Sequence, residues 1–346
     1  MATLTISASD VNTLIASPSS VIGYSSTKNI VINGNITYTQ ARALSGVASP
    51  SITAAVTQTS ISNLKTITPL SGRTNAFTLT VNDITASAAD LNAVKALTTV
   101  APNFGSVGTV SGLTADIKSL YSGTNTSLGN EAISITDTTA SAADLIIVNG
   151  YTTGLVSTTA TSLVGLAADF NTIHTNRGTT GDKINSAVLA LPVEVNDAVI
   201  NAGVVNTVNT NYSGVVTLSS GSSVIGTMAE LGTLNTADNT SGDSNQLDGF
   251  DGKSVTIKDG ANKFTVANVN TVVGYTSGPV TAELSTDELV VLNGLTGSGH
   301  TLTATIVEQT DTGGVDLVLL ASQLKSIASK LSSSSVITFA NAITTV

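Results

Sequence analysis

The chain contains no cysteine and no tryptophan, and aromatic residues occupy only 3% of its 346 positions. The absence of cysteine excludes disulfide bonds and thiolate metal sites. Hydrophobic residues nevertheless make up 41% of the sequence, and most of them are Val, Ile, Leu and Ala. Such a chain has enough apolar material to fold, so intrinsic disorder is disfavoured. The small and branched side chains suit a thin core built of narrow layers.

Charged residues are scarce as well, at 10% of the sequence against about 25% in ordinary soluble domains. The 13 Lys and Arg residues are scattered, and the 23 Asp and Glu residues bring the formal net charge to −10. Nucleic-acid binding depends on clustered basic side chains, so we predict no nucleic-acid partner. Charges also keep exposed sheet edges from pairing with other molecules. Their scarcity therefore favours self-association.

Long hydrophobic runs are missing too. No uncharged apolar stretch has the length needed to span a bilayer, so we expect no transmembrane segment. The first ten residues, Met1 to Asp10, contain neither the basic region nor the apolar region of a secretory signal peptide. We therefore expect a cytoplasmic location or export by a route that uses no N-terminal signal.

A recurring sequence motif, called the phrase below, is the main positive feature of the sequence. Its clearest copies are Ala86–Val94 (ASAADLNAV) and Ala140–Val148 (ASAADLIIV). Aligned on the aspartate, four copies are spaced by 26, 28 and 25 residues, at Asp90, Asp116, Asp144 and Asp169. Weaker copies are aligned on Asp10, Asn63, Glu230 and Gln323. Such a period is typical of repeat proteins, in which stacked neighbours bury the apolar face that one repeat cannot bury alone.

Each repeat combines a helical pattern with a strand pattern. Ser87 precedes Asp90 by three residues, which is typical of a helix N-cap followed by an acidic first turn. Leu91 and Val94 then give the short helix one apolar face. Segments such as 132–136 alternate apolar and polar residues and indicate strands.

We therefore predict a β-rich repeat solenoid similar to a parallel β-helix, with one strand and one short helix in each coil of about 25–28 residues. Tandem β-sandwich domains with Thr-rich strands are the alternative. Sandwiches show turn signals every 8–12 residues or so and no recurring helix, which makes them the weaker interpretation.

The solenoid is expected to cover residues 1–314, and residues 315–346 depart from the pattern. Leucine and isoleucine at helical spacing predict one amphipathic helix over 315–331, followed by an apolar strand over 336–346. We interpret this segment as a cap on the last coil, an export signal or a segment exchanged with another subunit.

One acidic loop is the candidate metal site. Asp238, Asp243, Asp248 and Asp251 are the predicted Ca²⁺ ligands, because this ion prefers carboxylate oxygens on flexible, glycine-containing loops. Their spacing fits neither an EF-hand nor a nonapeptide calcium repeat, so a solvated loop is the alternative. Calcium is the one cofactor that the sequence suggests.

The sequence favours a protein that is not an enzyme. Its two histidines are His174 and His300, and it contains no nucleophile elbow, Walker loop or dinucleotide fingerprint. We therefore predict no catalytic residues.

Three segments carry a resemblance to a known class of proteins: Thr85–Asn92, Leu128–Asp137 and Asn149–Gly154. They resemble repeats of large extracellular proteins of cyanobacteria and some proteobacteria. Those proteins are surface-layer, filament or adhesin components, typically exported by type I secretion with an uncleaved C-terminal signal. The resemblance implies a location outside the cell or on its surface, and it brings no catalytic residues.

The leading functional hypothesis is a self-assembling structural protein of the cell exterior, whose partner is a second copy of itself. Uncharged strand edges are templates for pairing, and a head-to-tail contact that does not close produces a filament or lattice. The alternative is an adhesin or Thr-rich binding module that recognises a cell-surface glycan, a mineral or ice.

Overall fold

The computed structural model describes residues 2–68, 73–123, 127–177, 183–239, 246–260, 263–285, 289–306 and 317–339. Contacts divide the chain into two compact units. The first comprises Met1–Ala140, Asp144–Ala160 and Asn176–Val188, and the second comprises Ser141–Ala143, Thr161–Thr175 and Leu189–Val346. Among the helices so described, none is long and apolar enough to cross a bilayer.

Strands and helices alternate along the chain. The strands are β1 (Thr3–Ser7), β2 (Asn29–Ile36), β3 (Ser51–Val56), β4 (Thr74–Thr78), β5 (Thr85–Ser87), β6 (Thr109–Gly112), β7 (Ala132–Ile135), β8 (Thr139–Ser141), β9 (Val156–Thr158), β10 (Ser162–Gly165), β11 (Val193–Val195), β12 (Val199–Asn201), β13 (Val216–Leu218), β14 (Ser223–Gly226), β15 (Leu247–Asp248), β16 (Val255–Ile257), β17 (Val280–Glu283), β18 (Thr301–Ile306) and β19 (Val336–Phe339). The helices are α1 (Val11–Ala16), α2 (Tyr38–Leu44), α3 (Ile61–Leu64), α4 (Ala88–Lys95), α5 (Thr114–Tyr121), α6 (Ala142–Asn149), α7 (Ala167–Thr175), α8 (Ala202–Asn211), α9 (Met228–Asp238), α10 (Val266–Val273), α11 (Leu289–Asn293) and α12 (Leu317–Ala328).

The strands form four sheets. The first unit holds two of them, with strand orders β1-β2-β3-β4 and β5-β6-β7-β9. The second unit holds the six-stranded sheet β12-β14-β16-β17-β18-β19 and the strands β15, β13, β11 and β10 of the fourth sheet, whose order is β15-β13-β11-β10-β8. Every strand pair whose register is described is parallel. Since β-sandwiches are built from antiparallel sheets, this argues against the sandwich alternative.

Neighbouring strands come from successive repeats, where a repeat is one helix with the strands that precede it. Ile30 lies opposite Ile52, Val110 opposite Ile133, and Val255 opposite Val280. All six of these side chains are fully buried, so apolar columns run across each sheet and form the core. With helices in every part of the chain, the fold class is α/β rather than β-rich.

The recurring phrase forms a capped helix, as predicted. Helix α4 begins directly after Ser87, whose hydroxyl accepts a hydrogen bond from the N–H of Asp90 at 3.1 Å. Leu91 and Val94 are fully buried, which places the apolar face against the core. The same local pattern therefore specifies both the start of the helix and its orientation.

The C-terminal segment contains the predicted helix and strand. Helix α12 ends at Ala328, earlier than the predicted end at 331, and β19 pairs with β18 in parallel, with Ile337 opposite Ala304. The remainder of the predicted strand, 340–346, lies outside the described residues. The division of the chain at residue 314 and the role of 315–346 stay predictions.

Two copies of a Gly-Tyr-Thr segment form the same tight turn. Thr152 donates its hydroxyl to the carbonyl of Glu131 at 2.6 Å, and Thr276 donates to the carbonyl of Lys253 at 2.7 Å. Two residues later, a Cβ on Gly154 or on Gly278 would lie 2.2 Å from that same carbonyl oxygen. Only glycine fits there, because a backbone oxygen cannot move aside as a flexible side chain does.

We therefore expect Gly154→Ala and Gly278→Ala each to destabilise the protein by about 1–3 kcal/mol, as overpacking does in a tight core. Gly221→Ala is the matched control, since nothing lies within 4 Å of a Cβ at this position. Urea unfolding followed by circular dichroism measures the difference. Equal stabilities of Gly154→Ala and Gly221→Ala would show that the turn tolerates a side chain.

Candidate functional site

The aspartates predicted to bind calcium occupy separate places. Asp238 ends α9, and its Oδ1 accepts the N–H of Phe250 at 3.1 Å. Asp248 is exposed on β15, and Asp251 Oδ1 accepts the N–H groups of Gly252 and Ser277 at 2.7 and 2.9 Å. Asp243 lies outside the described residues.

The carboxylates of Asp238 and Asp251 are thus engaged with backbone donors. In the ranges that the structure covers, no three His, Cys, Asp or Glu side chains form a group that could hold a metal ion. Calcium binding by this loop stays a prediction. The hydrogen bonds from Ser277 and Gly252 favour the ionised form and lower the pKa of Asp251.

A cleft of about 540 Å³ in the first unit collects several charged and hydroxyl side chains. Its polar lining includes Ser62, Lys65, Asp83, Ser87, Asp90 and Ser111. Lys65 forms an ion pair with Asp90, and its hydrogen bond is the main reason that the pKa of this carboxyl is lowered. Ser87 and Asp83 both accept hydrogen bonds from N–H groups at helix starts. The polar groups of the cleft therefore serve the junction between repeats.

That junction recurs along the chain, and its first component is an aspartate that caps the preceding helix. Asp83 accepts the N–H of Ile61, the first residue of α3, at 2.7 Å. Asp137 does the same for α5, and Asp197 does so for α7, each at 2.8 Å. These three aspartates lie between strands of different sheets, where the chain passes from β4 to β5, β7 to β8 and β11 to β12.

The cap on α5 replaces one that its own sequence lacks. The residue before this helix is Leu113, whose side chain has no hydrogen-bond acceptor. Asp137 Oδ2 instead accepts both the N–H and the hydroxyl of Thr114, each at 2.8 Å. The next repeat therefore supplies the missing cap, and the carboxylate also suits the positive end of the helix dipole.

The second component links the helices side by side. Lys118 stands two residues after the phrase aspartate Asp116, and it bonds to Asp144 of the next repeat at 2.8 Å. Lys65 occupies the same position in its repeat and forms an ion pair with Asp90. Other repeats place asparagine there. Asn92 and Asn206 donate their amide N–H groups to backbone carbonyls of Asp116 and Glu230 in the next helix, each at 2.9 Å.

The third component is a basic side chain at a helix C-terminus. Lys95 donates to the carbonyls of Leu120 and Ser122 at the end of α5, at 2.9 and 3.1 Å. Arg73 donates to the carbonyl of Leu44 at the end of α2, at 3.1 Å, and Lys330 donates to that of Asn293 at the end of α11, at 2.8 Å. These cations donate to carbonyls at the negative end of the helix dipole.

The phrase aspartates are recognisable in the sequence by their repeat, whereas the three aspartates that cap a preceding helix, Asp83, Asp137 and Asp197, were not predicted. Asp83 and Asp137 each stand seven residues before a phrase aspartate, in Val-Asn-Asp and Ile-Thr-Asp. Asp137 lies two residues after the end of β7, and Asp83 lies two residues after Val81, which forms an isolated bridge with Thr59. Asp197 follows β11 in the same way. An aspartate at a constant distance before the phrase is the signal that could have located them.

We expect Asp137→Ala to reduce the free energy of unfolding by about 0.5–2 kcal/mol, because it removes the acceptor at the start of α5. Asp259→Ala is the control for loss of one exposed negative charge. Denaturant unfolding of both variants measures the effect. The capping role would be wrong if the two variants were equally stable.

Asp251 should contribute to acid stability. Its pKa is lowered in the folded chain, so its contribution is present above the unfolded value of about 3.9 and is lost as the pH falls through the folded value. We therefore expect Asp251→Asn to be less stable than the original chain at pH 7, by a difference that shrinks as the pH falls below the unfolded value towards the folded pKa. Thermal unfolding against pH tests this, with Asp248→Asn as control. A deficit that persists unchanged at pH 2 would contradict it.

Comparison with known proteins gives no indication of the function. No family model matches the sequence, and no match to a curated protein or to a solved structure was found. The chemistry of the junctions and of the sheet edges is therefore the basis for a functional proposal.

Proposed function

We propose that the protein is a self-assembling structural protein of the cell exterior, which forms a filament or surface lattice through contacts between copies. The observation that carries the proposal is that two edge strands are uncharged and, in the described part of the chain, have a strand partner on one side only. Strand β1 pairs with β2, strand β19 pairs with β18, and neither has a second partner among the described strands. Their sequences, Thr-Leu-Thr-Ile-Ser and Val-Ile-Thr-Phe, contain no charge.

We further infer that the repeats stack as a β-solenoid. The support is the parallel pairing of strands from successive repeats, together with the helix-to-helix contacts at the junctions. At several junctions, a side chain of one repeat bonds to the helix of a neighbouring repeat. Stacking by one repeated operation leaves a strand edge of the same kind at each end of an array.

The two edges are complementary. If β19 of one copy pairs in parallel with β1 of the next, Ile337 can lie opposite Leu4 while Thr338 lies opposite Thr5. That register continues the alternation of inward apolar and outward polar side chains in both sheets, as strand pairing requires. The contact joins two different surfaces, so it is head-to-tail, and it extends into an open array when the rotation between copies does not close a ring.

The use of charge supports the same proposal. Lysine, arginine and aspartate side chains cap helices and link repeats inside the chain, at Arg73, Lys95, Lys118, Asp137 and Lys330. Fewer charges are then left to block the sheet edges, which natural proteins protect with lysine in particular. We propose no catalytic role for these side chains.

The extracellular location rests on the resemblance of the repeats to surface-layer, filament and adhesin proteins. We propose export by type I secretion, with residues 315–346 as a candidate signal. Secretion of the chain from a host that carries a type I exporter, with and without residues 315–346, tests this part separately.

A second function, binding to an extended surface as an adhesin does, is favoured by a column of threonines. Thr256, Thr281 and Thr301 lie opposite one another on three neighbouring strands, and all three are at least partly exposed. A regular array of hydroxyl and methyl groups suits a glycan, mineral or ice surface. Pull-down with cell-wall glycans and ice-affinity purification distinguish this function, since it needs no assembly.

We expect the purified protein to form filaments or sheets, visible by electron microscopy and measurable by light scattering. Thr5→Lys should raise the concentration needed for assembly roughly tenfold, because a lysine on an edge strand opposes pairing. Thr53→Lys is the matched control: it lies in the same register column as Thr5, two strands further into the sheet.

Thr338→Lys should act like Thr5→Lys, since it alters the opposite edge. A protein that stays monomeric at all concentrations, in low and high salt and with or without Ca²⁺, would refute the proposed function. Assembly that Thr5→Lys and Thr53→Lys inhibit equally would refute the edge contact alone.

A further inference from the structure

His300 stands directly before β18 in the second unit and is 2% exposed. Its Nδ1 accepts the N–H of Val280, the first residue of β17, at 3.1 Å. Its Nε2 lies 3.0 Å from the carbonyl oxygen of Thr296. Because an amide N–H can only donate, these partners assign a neutral ring with the proton on Nε2.

The main chain of the same residue holds the C-terminal segment. The N–H of His300 donates to the carbonyl of Lys330 at 3.1 Å, and its carbonyl accepts the N–H of Ser332 at 2.7 Å. The hydroxyl of Ser335 also donates to that carbonyl, at 3.0 Å. His300 is thus attached to β17 through its ring and to the segment before β19 through its backbone.

The preceding turn is fitted to the ring. Gly297 has φ +76°, and a Cβ at this position would lie 2.6 Å from Nε2 of His300. A side chain would therefore both strain the backbone and displace the imidazole. The ring is enclosed by a turn that admits no other residue there, which leaves little room for a second rotamer.

We propose that His300 is an acid-sensitive latch that holds β18 and residues 330–339 against β17. A proton on Nδ1 would place two donors, the imidazolium N–H and the N–H of Val280, face to face. The hydrogen bond is then lost and a charge is left in a buried site, so the ring must move out. Its departure frees the start of β18 from β17.

No charged group described near the ring stabilises its protonated form in the closed latch. On the elements packed against it, Lys330 bonds to the carbonyl of Asn293, Lys253 points to the carbonyl of Leu218, and Glu283 pairs with Lys263 at 2.9 Å. The described hydrogen bonds of the ring go to backbone groups and not to a carboxylate, so burial dominates and lowers the pKa of His300, although the contact with Thr296 raises it in part.

The direction of the pH dependence follows. The closed form resists protonation, whereas the open form takes up a proton near the usual histidine value of about 6.5. The latch is therefore fully stable above that pH and weakens as the pH falls below it. This inference does not rest on self-assembly, since it concerns contacts within one chain.

Hydrogen exchange resolved by residue tests the latch. Between pH 6 and the folded pKa of the ring, the opening constant of amides in 300–306 should rise by up to about tenfold per pH unit, after correction for intrinsic exchange, because one proton is taken up on opening. His300→Asn keeps an acceptor for Val280 and should remove this dependence. His174→Gln, at the other histidine, should retain it.

Nitrogen NMR of the unmodified chain provides the second measurement, in case His300→Asn does not fold. The ring should show a protonated Nε2, an unprotonated Nδ1 and a pKa below 6.5. A ring that titrates at or above 6.5, or an opening constant that does not vary with pH, would overturn the proposal.

Discussion

The contacts between repeats depend on side chains that cap the ends of short helices in a neighbouring repeat. An isolated helix leaves four N–H groups and four carbonyls without partners, and helices shorter than about 12 residues are marginal in water. Most helices here have between 4 and 11 residues, so unpaired end groups are a large share of each helix. Asp137 at the start of α5 and Lys95 at its end supply these partners from the following and the preceding repeat. A helix capped in this way loses these hydrogen-bond partners when its neighbouring repeats are absent.

The need to cap helices also explains where the few charged residues of the chain are used. A chain with 13 basic and 23 acidic residues cannot both cap many helices and cover its surface with charge. The described ion pairs and caps place several of these charges at junctions, where Lys118 and Asp144 join successive helices. Serine, threonine and asparagine carry the rest of the polar surface. Few charges are thus left to protect the sheet edges, and the proposed contact between copies relies on this.

The features that could be predicted from the sequence are those set by residues a few positions apart. Ser87 and Leu91 lie within four residues of each other, and their spacing correctly predicted the start and the buried face of α4. The bond between Asp83 and Ile61 spans 22 residues, so no local pattern contains it. The phrase aspartates were expected in the acidic first turn of their own helices, where Asp90 lies, but the ion pair of Asp90 with Lys65 of the preceding repeat was not predicted. The proportion of helix was underestimated because the long α8 and α9 fall where the phrase is weak.

At His300 a side chain also accepts a backbone N–H of a neighbouring repeat, but the acceptor is a neutral imidazole. Aspartate and lysine caps use charges that persist over the whole neutral range, so those junctions are insensitive to moderate changes of pH. The junction between β17 and β18 uses a neutral imidazole as acceptor for Val280 instead. An acceptor that also binds protons makes this junction the weak one in acid, although its geometry is as closely fitted as the others. If the strands beyond it form one of the two assembly edges, acid would weaken the contact between copies by loosening the strand that makes it, without any change at the contact itself.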